Sequence, residues 1–285
     1  MVSGTADEQL APILGARKDG SAGVDSSRDL LMTVLGEFVL PLGGSAWTRT
    51  LVGAMAAFGV RDKAARQALA RMEGRWLERE RVGRETRWSL TPDAVALLDA
   101  GAARIYGFGR EAREWDGRWV VLLATVPESD RRARYRLAQG LGWIGFGARG
   151  NGMWISPWTD RETAAADVVR SLGVEATSFL AEIASLGSGH ALVTQAWDLD
   201  SLRADYTDFL ADTARLPGDG AEGGASVAAL AALVHRWRRF PLLDPDLPRE
   251  LLPADWPGES AAQRFAALRT ELLDSAHAWW RQSEA

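Results

Sequence analysis

The 285-residue sequence contains no cysteine. A chain without thiols forms no disulfides, thiolate zinc sites or iron–sulfur clusters, and it has no cysteine nucleophile. Histidine is also scarce, and the spacing of His190, His235 and His277 is not that of metal ligands. The serine-nucleophile motif G-x-S-x-G is absent as well. We therefore expect no metal site, no cofactor and no enzymatic activity.

The sequence also lacks a long apolar run. Its longest, Val227–Val234, is far shorter than the roughly 20 residues that a membrane-spanning helix requires. Residues 1–25 are rich in Gly, Ser, Ala and Asp and contain no apolar stretch, so they do not have the pattern of a secretory signal. This composition predicts a disordered arm. Together these features indicate a cytoplasmic protein.

Positive charge is in deficit overall, since the formal net charge is −5. A negative net charge by itself argues against a nucleic-acid partner. The charges are unevenly distributed, however. Residues 26–92 contain eleven Arg or Lys and seven Asp or Glu, a balance of +4, so the rest of the chain carries −9. This asymmetry predicts a local anion-binding surface on an acidic body.

The same cationic region shows three short amphipathic helices followed by a hairpin. The first two helices are predicted to begin at Ser27 and Ser45, and the third to span residues 62–73. A β-hairpin with its polar tip at Gly83 comes next. This order predicts a winged helix-turn-helix DNA-binding domain over residues 26–92.

The third helix has one apolar and one cationic side, as a recognition helix requires. Arg and Gln can read guanine and adenine edges in the major groove, and neighbouring cations can neutralise phosphates. An ordinary solvated basic face is the alternative interpretation. The predicted DNA-binding residues are Lys63, Arg66, Gln67 and Arg71 of this helix and Arg81, Arg84 and Arg87 at the hairpin tip.

Beyond the hairpin the pattern changes twice. Residues 93–113 predict a connector helix with Pro92 at its first position. Residues 114–189 follow the order β-α-β-β-α-β of a ferredoxin-like domain, and residues 190–285 predict a helical C-terminal domain with a Gly/Asp linker at 217–224. The predicted fold class is therefore α+β.

Residues 145–150, GFGARG, match the dinucleotide fingerprint G-x-G-x-x-G literally. That fingerprint requires a strand before it and a helix opening at its third glycine. Here a strand-like segment, residues 151–158, follows instead. We therefore interpret the glycines as a flexible β-β connection.

The sequence HRWRRF at residues 235–240 combines aromatic rings with fork-shaped cations. These two chemistries suit an aromatic ligand that carries phosphate. The alternative is that Arg236 and Arg239 form internal ion pairs with Asp244, Asp246 or Asp255. The predicted ligand-binding residues are His235, Arg236, Trp237, Arg239 and Trp256.

Several segments share an idiosyncratic pattern of Trp, Gly and Pro. They are Arg28–Gly44, Ala64–Val82, Trp115–Trp119, Gly142–Gly147, Trp154–Pro157, Trp197–Leu199 and His235–Gly258. The last reads HRWRRFPLLDPDLPRELLPADWPG. Through these segments the sequence, from about Ser27 to its end, resembles the PaaX-type transcriptional repressors of phenylacetic acid degradation.

The resemblance implies a winged helix, a ferredoxin-like domain and a helical domain working as a homodimer on a double-stranded DNA operator. It also implies release from DNA by an acyl-CoA effector, phenylacetyl-CoA in the founding members. The central domain further resembles the small ferredoxin-like CRISPR-associated nuclease, whose first strand ends in a metal-binding Asp. Here that strand ends at Val126, and the first carboxylates are Glu128 and Asp130. A metal-dependent nuclease and a non-catalytic adaptor are the alternative functions.

Overall fold

The computed structural model describes residues 27–109, 113–214, 216 and 223–285. The predicted arm at residues 1–25 and most of the predicted Gly/Asp linker lie outside these ranges. Helices and antiparallel sheets occur together, which confirms the α+β class. The chain divides into two compact units. The first consists of Met1–Arg110, Asp208–Phe240 and Glu259–Ala285, and the second of Glu111–Thr207 and Pro241–Gly258.

The N-terminal elements are short helices interleaved with three strands. They are α1 (Ser27–Val34) with a π-helical continuation (Leu35–Val39), β1 (Ser45–Trp47), α2 (Thr48–Ala56), α3 (Asp62–Met72), β2 (Leu77–Val82), β3 (Glu85–Leu90) and α4 (Pro92–Gly107). The strands form an antiparallel sheet in the order β1-β3-β2. The prediction that Ser45 opens a helix was wrong, because Ser45 pairs with Ser89 in the sheet and the helix begins at Thr48.

The central elements are β4 (Arg118–Thr125), α5 (Arg131–Trp143), β5 (Gly147–Gly150), β6 (Met153–Ser156), α6 (Glu162–Leu172) and β7 (Glu175–Glu182). Their four strands form an antiparallel sheet in the order β5-β6-β4-β7. The glycine-rich stretch is therefore not only a connection, since Gly147–Gly150 is itself an edge strand. A Cβ on Gly147 would lie 2.6 Å from the Trp197 indole, so only glycine fits there.

The remaining elements are helical. They are α7 (Gly189–Ala196), α8 (Leu199–Thr213), α9 (Gly224–Trp237), α10 (Phe240–Leu243) and α11 (Gly258–Glu284). Among the described residues, none of the helices combines the length and the apolar character needed to span a membrane.

In the core of the first unit, the N-terminal elements pack against the C-terminal helices. Phe38, in the π-helical continuation of α1, stacks on Trp280 of α11 with ring centroids 5.0 Å apart. At the end of α11, Glu284 accepts a 3.0 Å hydrogen bond from the amide of Trp47. Helix α9 packs against α1 in the same unit. The C-terminal helices α9 and α11 therefore fix the N-terminal elements by direct contact.

The core of the second unit lies between one face of its sheet and two helices. Strand β4 alternates, so every second side chain points toward α5 and α6. This core contains Val120, Leu122 and Ala124 of β4, Leu137 and Leu141 of α5, and Ala165 and Val169 of α6. The packing fixes which faces of α5 and α6 remain in contact with solvent.

Candidate nucleic-acid interface

Helix α3 presents the side chains that the sequence analysis assigned to DNA. Arg61 precedes it in an extended conformation, and Gly74 lies just beyond its end with a φ of 85°. One face, with Ala65, Ala68, Leu69 and Met72, is buried. The opposite face is exposed and carries Lys63, Arg66, Gln67 and Arg71. The predicted division of this helix into an apolar and a cationic face is thus observed.

Arg66 is held in a defined orientation by a carboxylate one turn earlier. Its Nε donates to Oδ1 of Asp62 at 2.7 Å, and its Nη2 lies 3.2 Å from Oδ2. The hydrogen bond with Asp62 raises the pKa of the Arg66 guanidinium. The pair is exposed, so it contributes little to stability, but it restricts the guanidinium to one plane. The remaining Arg66 N–H groups can still reach a base edge.

Other cations on this surface have no acidic partner. Lys63 and Arg71 of α3 and Arg84 of the hairpin are exposed and form no ion pair within the described parts of the chain. Two neighbouring carboxylates are occupied, since Glu73 pairs with Arg79 at 3.2 Å and Glu85 pairs with Arg49. Lys63, Arg71 and Arg84 can therefore neutralise phosphates without breaking an existing contact.

The hairpin positions its three predicted arginines differently. Its turn lies at Gly83, with a φ of 63°, which places Arg84 at the tip. Arg81, beside the tip, donates its Nε–H to the carbonyl of Gly83 at 3.3 Å. Arg87 is not at the tip: it lies in the central strand β3, half-buried, 5.2 Å from the ring centroid of Trp47. The predicted location of Arg87 was therefore wrong.

The predicted ligand-binding segment at residues 235–240 is mostly buried. Nδ1 of His235 lies 2.8 Å from the hydroxyl of Thr33. Trp237 is only 1% exposed, and its indole N–H donates to the carbonyl of Ile105 at 3.1 Å. Its ring stacks on Phe265 with centroids 4.7 Å apart. In the described structure both side chains are engaged in internal contacts.

The arginines of this segment differ in their partners within the first unit. Arg236 pairs with Asp212 at 2.5 Å. Arg239 is half-buried, and its Nε has no hydrogen-bond partner among the described residues. The three aspartates named earlier have other partners: Asp244 accepts from Tyr206, Asp246 pairs with Arg161, and Asp255 pairs with Arg203.

Trp256, the fifth predicted ligand residue, belongs to the second compact unit, whereas residues 235–239 belong to the first. Its ring packs edge-on against Tyr206 with centroids 6.1 Å apart, and it is largely buried. The assignment of these five residues to a ligand therefore stays a prediction.

A buried polar cluster in the first unit was missed from the sequence. The carboxylate of Glu37, in the π-helix after α1, accepts hydrogen bonds from the Tyr106 hydroxyl and, at 2.9 Å, from Arg269. Burial raises the pKa of Glu37, although Arg269 opposes the shift. His277 lies 3.1 Å from the carbonyl of Glu37. Glu37 and Arg269 are 232 positions apart, so no local pattern could have indicated the pair.

Within the described ranges, no group of three or more His, Cys, Asp or Glu side chains is arranged to hold a metal ion. In the glycine-rich stretch, protein atoms fill the space beside Gly145, where a Cβ would lie 2.0 Å from Nη1 of Arg161. Close packing accounts for Gly145 and Gly147, and a φ of 81° accounts for Gly150.

Known protein families match the chain from residue 26 to residue 282 with two short gaps. Residues 26–94 match the family described as PaaX-like protein. Residues 112–193 match the PaaX protein central Cas2-like domain, and residues 197–282 match the PaaX-like protein C-terminal domain. The chain is also 30% identical, over 251 residues, to the Transcriptional repressor PaaX of Escherichia coli strain K12. The match covers 84% of this chain and 78% of that protein.

The chain belongs to the PaaX family. The family resemblance inferred from the tryptophan- and proline-rich segments is thereby confirmed. Among solved structures, the Uncharacterized protein Rv0674 from Mycobacterium tuberculosis matches with a TM-score of 0.62 and 24% identity. The match covers 89% of this chain and 98% of that chain. At this level of identity the similarity indicates a shared fold and nothing further.

Proposed function

We propose that this protein is a transcriptional repressor that binds operator DNA through α3. The observation that carries the proposal is the exposed face of α3, where Lys63, Arg66, Gln67 and Arg71 stand opposite an apolar face fixed in the core. The name of the Escherichia coli relative, Transcriptional repressor PaaX, supports the same function.

The proposed arrangement has a winged helix-turn-helix over residues 26–92, with α3 as the recognition helix and the β2-β3 hairpin as the wing. A connector at 93–113 leads to a ferredoxin-like domain at 114–189 and a helical domain at 190–285. The strand order β5-β6-β4-β7, with α5 and α6 on one face, supports the ferredoxin-like part of the proposal.

A single recognition helix contacts only a few base pairs, so repressors of this kind commonly pair two of them across a two-fold axis. We therefore expect a homodimer and an operator with inverted half-sites. Light scattering on the full chain, with and without DNA, tests this. A mass of 30.9 kDa under both conditions would contradict it.

We further propose that an acyl-CoA, such as phenylacetyl-CoA, releases the repressor from DNA. A ligand that prefers the free repressor lowers operator affinity by the same factor. The proposed contacts are His235, Arg236, Trp237, Arg239 and Trp256, and binding through the two indoles requires the buried rings to become accessible. Calorimetry with acyl-CoAs, CoA and free acids tests the proposal. It is wrong if no thioester binds with a Kd below about 100 μM.

The central experiment is a footprint and gel-shift assay on DNA upstream of the gene and its neighbours. We expect a protected inverted repeat and an intact, shifted duplex. Magnesium-dependent cleavage of the duplex would favour a nuclease instead, because phosphodiester hydrolysis of this type uses metal-held oxygens. Failure to bind any of the fragments would favour a non-catalytic adaptor.

A further inference from the structure

A second arginine-rich surface lies on α5, in the other compact unit from α3. The helix reads RRARYRLAQGLGW and contains no Asp or Glu. Its arginines are Arg131, Arg132, Arg134 and Arg136, all four of them exposed. This helix lies within the part of the chain whose overall charge is negative, so its positive charge is a local exception.

Packing fixes the orientation of α5. Leu137 and Leu141 are buried against the sheet. Gly140 lies so close to α6 that a Cβ there would be 2.7 Å from Val168. At 3.6 residues per turn, Arg131, Arg132 and Arg136 are rotated about 120°, 140° and 100° from Leu137, so all three point away from the buried side. The three arginines therefore form one outward surface, which we call the α5 arginine face.

No carboxylate in the described structure neutralises the α5 arginine face. Three acidic side chains of the same unit, one before α5 and two on α6, have other roles. Asp130 caps the helix by accepting from the amide of Ala133, and Asp167 of α6 pairs with Arg170 at 2.6 Å. Glu162 of α6 accepts from the hydroxyl of Ser178. Because three exposed guanidinium groups repel one another, an anionic partner would stabilise this arrangement.

The shape of the surface indicates which anion fits. Small ligands bind in concave sites, whereas the α5 arginine face is the convex side of a helix. The cavities of about 360 and 410 Å³ in this unit are lined by residues of other elements. Arg131 and Arg136 are separated by about 7.5 Å along the helix axis. This is close to the rise of two phosphates of one strand along the axis of duplex DNA, about 6.8 Å.

We propose that Arg131, Arg132 and Arg136 bind the phosphate backbone of duplex DNA, as a sequence-independent contact additional to α3. Guanidinium groups suit this role because they donate paired hydrogen bonds to phosphate oxygens. The proposal rests on the proposed DNA-binding function. It adds a contact that supplies affinity without reading bases.

The test uses the full chain and two fluorescent duplexes of equal length, about three helical turns. One carries the footprinted operator and the other a random sequence. Anisotropy titrations at several salt concentrations give the slope of log Kd against log salt. The variant is Arg131→Gln/Arg132→Gln/Arg136→Gln. The control, Arg118→Gln/Arg170→Gln/Arg249→Gln, removes the same charge from exposed arginines of the same unit that already have internal partners.

We expect the α5 variant to lower the salt slope by about two to three units on both duplexes, since each lost phosphate contact removes about 0.9. The ratio of operator to random affinity stays unchanged, and the control keeps the wild-type slope. A wild-type slope in the α5 variant, or an equal loss in the control, overturns the proposal. So does displacement of the duplex by polyglutamate at equal charge, which would indicate an acidic protein partner.

The two proposals fail in different ways. If the wild-type chain binds random duplex with a slope that depends on α5 but has no operator preference, α5 binds phosphate and operator reading by α3 is wrong. If the operator preference depends on Arg66 but the salt slope does not depend on α5, operator reading by α3 stands and the phosphate contact of α5 is wrong. Absence of binding to both duplexes contradicts both proposals.

Discussion

Helix α3 and the end of α9 both combine arginines with a neighbouring amide or aromatic side chain, yet they differ in what surrounds them. On α3 only one face is buried, and Arg66 and Gln67 point to solvent. Helix α9 is apolar on nearly all sides, and its buried residues include His235 and Trp237. A helix that is apolar all round becomes part of the core. Similar residue types therefore favour recognition on α3 and packing on α9.

The largest expected effect concerns Trp237, whose ring fills the aromatic core of the first unit. Trp237→Ala should lower the free energy of unfolding by about 3–5 kcal/mol, because it leaves a cavity that the neighbouring rings cannot fill. Trp279→Ala, a half-buried tryptophan of the same unit, is the matched control and should cost less. Denaturant titration measures both. If Trp237→Ala keeps the wild-type stability but loses acyl-CoA binding, Trp237 serves ligand binding rather than packing.

A pH titration tests whether Asp244 is held by burial and its hydrogen bond with Tyr206 rather than by an ion pair. Burial raises the pKa of Asp244 from 3.8 to about 6. The folded state then binds a proton more tightly than the unfolded state. The contribution of Asp244 to the free energy of unfolding should therefore fall by roughly 3 kcal/mol as pH rises from about 4 to about 6, and stay level above pH 6.

Asp244→Asn should remove this part of the pH dependence, while its side-chain oxygen can still accept from Tyr206. Unfolding free energies of wild type and variant across pH 4–7 give the difference. If Asp244 instead paired with an arginine, its pKa would be lowered and the wild type would lose stability as pH falls. That outcome would contradict the observed contacts.

On α3, Arg66→Ala or Gln67→Ala should weaken binding to the cognate operator by about 1–3 kcal/mol and relax specificity at the contacted position. Stability should hardly change, because both side chains are exposed. Arg170→Ala, an exposed and ion-paired arginine of the second unit, is the control. Equal operator affinity for all three variants would remove the assignment of α3 to base reading.

The smallest effects are expected for the cations without acidic partners. Lys63→Ala, Arg71→Ala and Arg84→Ala should each weaken binding to operator and random duplex alike and lower the salt slope by about 0.9. Salt-dependent anisotropy measures this. A change confined to the operator would mean that these residues read sequence.

The faces of α3 could be predicted because helical periodicity is local: an apolar residue every three or four positions indicates a buried side. Strand β1 could not, because its three residues depend on pairing with Arg87, Trp88 and Ser89, about 40 positions away. The contact between Glu37 and Arg269 depends on tertiary packing in the same way. No local pattern indicates that α9 and α11 share a compact unit with the N-terminal elements.

The most direct test of the difference between α3 and α9 is photo-crosslinking to operator DNA from one position on each. A photoreactive residue at position 67 is compared with one at position 236, since Gln67 and Arg236 are both exposed. We expect a crosslink to the operator from position 67 and none from position 236. Crosslinking from position 236 and not from position 67 would contradict the account.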